Sequence, residues 1–241
     1  RKTSAFLELD SLAAPFRKLR LDVYRQGTER DFDIWSEFAF STPPFFNYTA
    51  RTRTHNEQLT QGGEVQLDGK LGDHYLIAGL SAIHDDIDGT TKTYEREGAS
   101  LPPGTPLFER YIYDAEMLTA AGFLQDEWQL SEATKLIAGA RYTQVESELN
   151  ETDDPDITSV LSETDSADGN LAFSLGCVHS VRDGFTLRAS YSQGYRHPNL
   201  VELYTGAPAH GGTGARAGNA DLEPETSQSF EIGALHQGQR L

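Results

Sequence analysis

Cysteine and long apolar runs are nearly absent from this chain of 241 residues. The single cysteine, Cys177, excludes an internal disulfide and leaves no pair of thiolates to build a metal site. No stretch approaches the roughly 18 apolar residues of a transmembrane helix, and the first residues lack the basic-then-apolar pattern of a signal peptide. These absences exclude a disulfide scaffold and a helical membrane protein, but they leave a membrane β-barrel open.

Basic residues are also in deficit. The chain has 20 Lys plus Arg against 37 Asp plus Glu, which gives a formal net charge of −17. Proteins that bind a nucleic-acid backbone need clustered cations, so we exclude nucleic acid as a partner. Nine of the acidic residues fall between Glu146 and Gly169, where there is no Lys or Arg. Such a run is typical of a solvated loop.

Linear motifs of catalysis are missing as well. The sequence contains no Gly-x-Ser-x-Gly elbow, no His-Glu-x-x-His pair, no phosphate-binding loop and no dinucleotide fingerprint. Outer-membrane hydrolases that use scattered Ser, His and Asp residues also lack such motifs and are the enzyme alternative. We nevertheless expect that the protein is not an enzyme.

The chain is rich in segments where apolar and polar residues alternate. Four clear examples are Lys18–Tyr24, Leu136–Tyr142, Leu187–Ser192 and Phe230–Ala234. A period of two places charged side chains on one face of a strand and apolar side chains on the other. We predict about nine strands, which cover residues 2–10, 17–26, 46–68, 74–86, 113–129, 136–148, 170–180, 185–195 and 225–236.

The predicted connections are alternately short and long. Tight turns are predicted at residues 11–16, 69–73, 130–135 and 181–184, which contain turn formers such as Gly and Asp. The other connections are each about 20 residues or longer, and they cover residues 27–45, 87–112, 149–169 and 196–224. A soluble sandwich or lipocalin-like barrel has short loops and an inward apolar face. An outer-membrane barrel has long loops at one end and an apolar face toward lipid, which this pattern favours.

We therefore expect an all-β fold, a section of about nine antiparallel strands from a transmembrane β-barrel with long extracellular loops and short periplasmic turns. Nine is an odd number and too few strands to close a wide barrel. The ends of the chain at Arg1 and Leu241 are expected to be cuts through a longer protein. Three aromatic residues are predicted to lie at the membrane interfaces: Trp128, Tyr142 and Tyr195.

Four motifs occur in the order found in one protein family. Phe123–Trp128 reads Phe-x-Gln-Asp-Glu-Trp, and Gly139–Tyr142 reads Gly-x-Arg-Tyr. Tyr195–Pro198, followed by Glu-Leu-Tyr, is similar to Phe-Arg-x-Pro, and Asn219–Thr226 is similar to Asn-Pro-x-Leu-x-Pro-Glu-Thr. The third motif has Tyr for Phe and the fourth has Ala for Pro. On these motifs the chain resembles the TonB-dependent outer-membrane receptors, which import ferric siderophores, haem, cobalamin and similar scarce cargo.

The resemblance implies a 22-stranded barrel in the bacterial outer membrane. Residues 1–241 would form part of that barrel domain, without the N-terminal plug domain and without either barrel end. The implied function is to capture haem or a ferric siderophore and to import it into the periplasm with TonB energy. The implied partners are outer-membrane lipid, the metal-complex cargo and, through the missing plug, the TonB-ExbB-ExbD system. The alternatives are a passive porin or adhesin barrel, and a soluble β-sandwich binding module.

Two histidines are the candidate cargo ligands. His210 lies between the third and fourth motifs, where haem receptors of this family place an axial-ligand histidine, and imidazole binds haem iron or zinc. His197 lies within the third motif. The alternative for both is an ordinary loop histidine. No intrinsic cofactor is implied, since haem, ferric siderophore or zinc would be cargo. Seven motif residues are expected to be structural: Tyr195, Arg196, Pro198, Asn219, Leu222, Pro224 and Glu225.

Overall fold

The computed structural model describes residues 1–39, 47–97, 108–152, 165–204, 207–208, 215–216, 219 and 221–237. Nine strands form one antiparallel sheet in which each strand pairs with the next along the chain. They are β1 (Lys2–Asp10), β2 (Phe16–Ala39), β3 (Asn47–Leu71), β4 (His74–Glu97), β5 (Phe108–Ser131), β6 (Thr134–Thr152), β7 (Asp165–Arg182), β8 (Phe185–Arg196) and β11 (Glu225–His236). The predicted all-β architecture is confirmed.

Three small elements lie between β8 and β11. They are the five-residue helix α1 (Leu200–Tyr204) and a separate two-stranded pair formed by β9 (Ala207–Pro208) and β10 (Ala215–Arg216). Sequence patterning missed α1 and treated the whole of this connection as loop. Within the described ranges, no helix has the length and apolar composition needed to cross a membrane.

Tight turns join the strands at one end of the sheet, as predicted. Two residues separate β3 from β4, β5 from β6, and β7 from β8, while residues 11–15 join β1 to β2. Gly72 and Gly184 have φ angles of 61° and 75°. This left-handed backbone conformation is one that glycine adopts without a steric penalty. We call this edge of the sheet the short-turn end.

The opposite end of the sheet differs from the prediction, except in β3, which was predicted over residues 46–68. Strands β2 to β5 are 24 or 25 residues long, and β2 stays paired with β3 as far as Ala39 and Asn47. The prediction of loop is therefore wrong for residues 27–39, 87–97, 108–112, 149–152 and 165–169. The rest of these three predicted connections lies outside the described residues. In the extended part of β2 and β3, both faces carry polar side chains: Arg30 and Asn56 lie on one face, and Asp31 and His55 lie on the other. The alternation of a half-buried strand is lost there while the backbone ladder continues.

The two faces of the sheet differ in polarity. On one face, apolar side chains from neighbouring strands lie opposite one another, as in the row formed by Leu7, Leu21, Val65 and Leu80. This face is open to the surroundings, since Leu80 is 65% exposed and Ile232 is 91% exposed. A soluble β-sandwich would bury Leu21, Ala138, Leu187 and Ile232 against one another, but all four side chains are exposed. This apolar face is therefore not a dry interior, and Trp128 and Tyr142 project from it.

The opposite face, which we call the polar face, carries the charged residues that alternation assigned to it. Arg141 lies opposite Phe123 and Ala172, and Arg188 lies opposite Val178 and Gly233. Charged side chains pair across neighbouring strands here. Lys18 contacts Glu8 at 2.8 Å, and Lys135 contacts Glu127 at 3.1 Å. Such cross-strand pairs are the usual stabilising unit of a sheet face.

A buried apolar cluster also lies on the polar face, away from the short-turn end. It contains Ile87, Ala115, Met117, Val145 and Leu149 from β4 to β6, and Leu200, Leu203 and Tyr204 from α1. In β6, strand alternation puts Val145 and Leu149 on the same face as Arg141. Helix α1 is therefore packed against the polar side of the sheet.

Tyr195 does not lie at a membrane interface as predicted. Its ring packs against the buried cluster, and its hydroxyl donates a hydrogen bond to Asp168 Oδ2 at 3.1 Å. The reason is a divergence of strands: the ladder between β7 and β8 ends at Ser174 and Ser192, although β7 continues to Asp165. The end of β8 is thereby separated from β7, although it stays paired with β11, and Tyr195 packs against the cluster.

Candidate functional site at the β8–β11 connection

Helix α1 is fixed at its start by a reciprocal cap. The backbone N–H of Glu202 donates to Asn199 Oδ1 at 3.0 Å, and the backbone N–H of Asn199 donates to Glu202 Oε2 at 2.9 Å. This is a capping-box arrangement, with Asn199 as the N-cap and Glu202 three residues later. A helix of five residues has little stability by itself, so its position depends on the contacts described next.

The apolar side of α1 supplies those contacts. Leu200 is buried, and Leu203 and Tyr204 are 1% and 0% exposed. The hydroxyl of Tyr204 is hydrogen-bonded to the hydroxyl of Ser147 at 3.1 Å, and Ser147 is itself buried. Burial raises the pKa of Tyr204 because the ionised phenolate is disfavoured away from water. The helix is thus attached to the polar face by apolar packing and one satisfied buried polar pair.

Arg196 joins the two ends of the connection. Its Nη2 donates to both carboxylate oxygens of Glu202, at 2.6 and 2.7 Å, and its Nη1 donates to Glu225 Oε1 at 3.2 Å. The register also places Glu225 directly opposite Arg196. The hydrogen bonds from Arg196, followed by that from the Asn199 backbone, hold the pKa of Glu202 below its usual range. Arg196 therefore ties the end of β8 to α1 and to the start of β11.

The fourth motif forms a turn that returns the chain to the sheet. The backbone N–H of Asn219 donates to the carbonyl oxygen of Glu202 at 3.0 Å. The side-chain oxygen of Asn219 accepts a hydrogen bond from the backbone N–H of Asp221 at 2.9 Å. The backbone carbonyl of Asn219 accepts a hydrogen bond from the backbone N–H of Leu222 at 3.2 Å. Pro224, which has no N–H to donate, directly precedes β11. The third and fourth motifs thus meet at α1.

Of the two candidate cargo ligands, His197 is among the described residues and His210 is not. Ala220 also lies outside the described residues. His197 follows the end of β8 and is half-buried, and its Nδ1 is 2.9 Å from the carbonyl oxygen of Pro198, which is buried. When Nδ1 carries the proton and donates it to this carbonyl, Nε2 is the ring atom that can accept a hydrogen bond or a metal.

Arg141 and Arg188 place positive charge on the polar face, where Lys18 and Lys135 are already paired with glutamates. The guanidinium of Arg141 lies 5.6 Å from the ring centre of Phe123 and donates to Ser81 Oγ at 3.2 Å. Arg188 passes over Gly233, where an added Cβ would lie 2.7 Å from the arginine Nε. Gly233 thus leaves room for Arg188. Arg196, by contrast, is neutralised by two carboxylates and has a positioning role.

Sequence patterning missed three members of this site: Ser147, Asp168 and helix α1. The spacing of Leu200, Leu203 and Tyr204 is that of one helical face, and Asn199 with Glu202 has the spacing of a capping box. Both the helical spacing and the capping-box spacing are present in the sequence, but each covers only a few residues. Ser147 and Asp168 are polar residues in strands, and only the tertiary contacts with Tyr204 and Tyr195 distinguish them.

Comparison with known proteins gives a match over nearly the whole chain. The family model described as TonB dependent receptor-like, beta-barrel matches residues 4–241. Among curated proteins, the chain is similar to the probable TonB-dependent siderophore receptor PirA of Acinetobacter baumannii. The two are 24% identical over 223 residues, which cover 77% of this chain and 27% of that protein.

Solved structures show the same fold. The copper transporter OprC superposes with a TM-score of 0.69 at 14% identity, covering 99% of this chain and 36% of that one. The ferric yersiniabactin uptake receptor FyuA from Yersinia pestis gives a TM-score of 0.58 at 13% identity, covering 98% of this chain and 33% of that one. The present chain therefore spans about a third or less of the length of these relatives.

Proposed function

Since the chain belongs to the TonB-dependent receptor-like β-barrel family, we propose that it is part of an outer-membrane receptor that captures a ferric siderophore and imports it with energy from TonB. Members of this family are outer-membrane transport receptors. The siderophore is favoured as cargo because the curated relative is described as a siderophore receptor. Haem and zinc are the other cargoes to be tested.

The observation that carries this proposal is the division of one continuous sheet into an apolar exposed face and a polar face. Leu124, on the apolar face, is 53% exposed, while its neighbour Gln125 lies on the polar face and is hydrogen-bonded to Glu127. In a membrane barrel the first face meets lipid and the second lines the lumen. The short-turn end then faces the periplasm, and the extended strands and α1 face the outside.

The remaining parts of the transporter would come from the rest of the protein. We expect a plug domain inside the barrel, further strands that close the barrel, and contact of the plug with the TonB-ExbB-ExbD system. The present chain would contribute barrel wall, cations of the polar face and some of the cargo contacts. Transport would require the whole receptor.

Growth under iron limitation tests this function. The complete receptor, expressed in a strain without its own siderophore receptors, is expected to restore growth on one or more ferric siderophores. The same cells without functional TonB should not grow. Growth that does not depend on TonB would support a passive pore. Growth on haem alone under iron limitation, or on zinc alone under zinc limitation, would replace the siderophore with that cargo.

We expect His210→Ala to weaken cargo binding by the complete receptor about 10- to 150-fold. The reason is that loss of a hydrogen bond or ligand to a charged group costs about 1.5–3 kcal/mol. Binding of the cargo identified by the growth assay would be measured by titration of the purified receptor. His197→Ala tests the second candidate ligand. His179→Ala, near the short-turn end, is the control. Equal affinity in the His210 variant and the control would remove His210 from the cargo site.

A further inference from the structure

The extended part of the β2–β3 hairpin carries a group of metal-ligating side chains away from the polar face. Glu29, His55 and Glu57 each offer one ligand atom, and these atoms all lie within 4.8 Å of one another. Among the described residues, no other group of three meets this criterion. The register places Glu29 opposite Glu57, and Asp31 opposite His55.

All four side chains belong to one face of the hairpin. They continue the alternation of Leu21 and Val23, which lie on the apolar face of the sheet. Glu29 lies 13 residues beyond Phe16, the first residue of β2, and about 9–11 residues suffice to cross a bilayer. The group is therefore on the outward side of the barrel wall, beyond the lipid, and it is separate from the polar face that would meet cargo.

The pairing of Glu29 with Glu57 is unfavourable without a cation. Two carboxylates directly opposite each other on one face of an antiparallel pair repel. His55 lies beside them, with Nε2 3.3 Å from Glu57 Oε1. The arrangement thus brings two anionic oxygens and one imidazole nitrogen to the same place.

Asp31 orients the imidazole for metal binding. Its Oδ1 is 2.6 Å from His55 Nδ1, and the second ring nitrogen, Nε2, faces Glu57 Oε1 at 3.3 Å. A carboxylate that holds the far nitrogen of a ligating histidine is the usual outer partner in zinc sites, where it fixes the tautomer and the ring orientation. Imidazole with two carboxylates suits Zn²⁺ better than Ca²⁺ or Mg²⁺, which prefer oxygen ligands alone.

We propose that Glu29, His55 and Glu57 bind a divalent transition-metal ion, with Zn²⁺ as the ion to test, on the outward face of the β2–β3 hairpin. Tetrahedral ligands at about 2.1 Å from zinc are about 3.4 Å apart, so closure requires side-chain movements of about 1–1.5 Å. Exposed carboxylates can make such movements by rotation. A water molecule completes the fourth position. The bound ion links the two strands and removes the repulsion between Glu29 and Glu57.

Zinc titration of the purified complete receptor tests this site. The probe is Zn²⁺ alone, measured by competition with a chromophoric chelator. We expect His55→Ala and Glu57→Gln each to lose one bound Zn²⁺ per protein. Asp31→Asn should lower the affinity for this ion about 10- to 100-fold. His179→Ala removes an imidazole elsewhere in the sheet and should retain the ion. Heat-modifiable migration on gels checks that each variant is folded.

The result that overturns the proposal is an equal number of bound Zn²⁺ ions with equal affinity in His55→Ala, Glu57→Gln and His179→Ala. A second measurement is independent of stoichiometry. Zn²⁺ should protect His55 from modification by diethyl pyrocarbonate, and equal modification with and without Zn²⁺ would also count against the site. The Zn²⁺ measurements test the metal site, and growth on ferric siderophore tests the proposed function. Either one can therefore fail while the other holds.

Discussion

Leu124→Arg is expected to destabilise the folded receptor by about 2–4 kcal/mol, the cost of an arginine on the lipid face near the bilayer midplane. Leu124 is 53% exposed and lies between Ala78 and Ala140 on the apolar face. It is seven residues from Ser131, where β5 ends at the short turn. At the usual strand tilt this position is near the middle of the bilayer.

Gln125→Arg is the matched control for this substitution. Gln125 is the next residue in the same strand, but it lies on the polar face, where the new guanidinium can pair with Glu127. We expect little loss of stability there. Both variants would be unfolded with denaturant in lipid vesicles and followed by gel migration. An equal loss of unfolding free energy in the two variants, or a greater loss for Gln125→Arg, would contradict the assignment of the two faces.

Leu203→Ala is expected to release helix α1 from the polar face. Leu203 is 1% exposed within the buried cluster, and truncation of a buried leucine to alanine costs about 2–5 kcal/mol. Because the five-residue helix depends on this packing, the loss should be local. A cost of 2 kcal/mol corresponds to a roughly 30-fold rise in the exchange of protected amides. Hydrogen–deuterium exchange of residues 199–204 in the complete receptor measures it.

Val201→Ala provides the control within the same helix. Val201 is 52% exposed, so its truncation creates no buried cavity and exchange should stay near that of the parent protein. Gel migration should show an intact barrel for both variants, since the strands below α1 are unchanged. Similar exchange in Leu203→Ala and Val201→Ala would show that packing of Leu203 does not hold the helix.

Local alternation was sufficient to predict the strands and their two faces. Leu187 and Arg188 are neighbours of opposite character, and the sheet places them on opposite faces as predicted. The extension of β2 beyond residue 26 could not be found in this way, because polar side chains such as Arg30 and Asp31 occupy both of its faces. Such an extension is maintained by the backbone ladder, which leaves little trace in composition. By contrast, β3 was predicted at nearly its full length, over residues 46–68.

Contacts between distant residues account for what the sequence did not reveal at the candidate sites. The cap of α1 has a local signal in Asn199 and Glu202, but its position depends on Ser147 and on the cluster from β4 to β6. Glu29 and His55 come together only through the register of a hairpin whose first strand was predicted to end at residue 26. The motif residues were recognisable because of their order, and the structure places several of them in one network around Arg196.

The length of β2 and β3 has a consequence for large molecules that approach the cell. Residues 27–39 of β2 extend it by roughly 30 Å at the usual tilt, in register with β3. An antibody or a phage tip that binds this part contacts strands that are already ordered. Binding therefore does not carry the entropic cost of ordering a flexible segment. A short synthetic peptide that copies residues 27–39 lacks the partner strand and should be a poor immunogen for raising antibodies against the native surface.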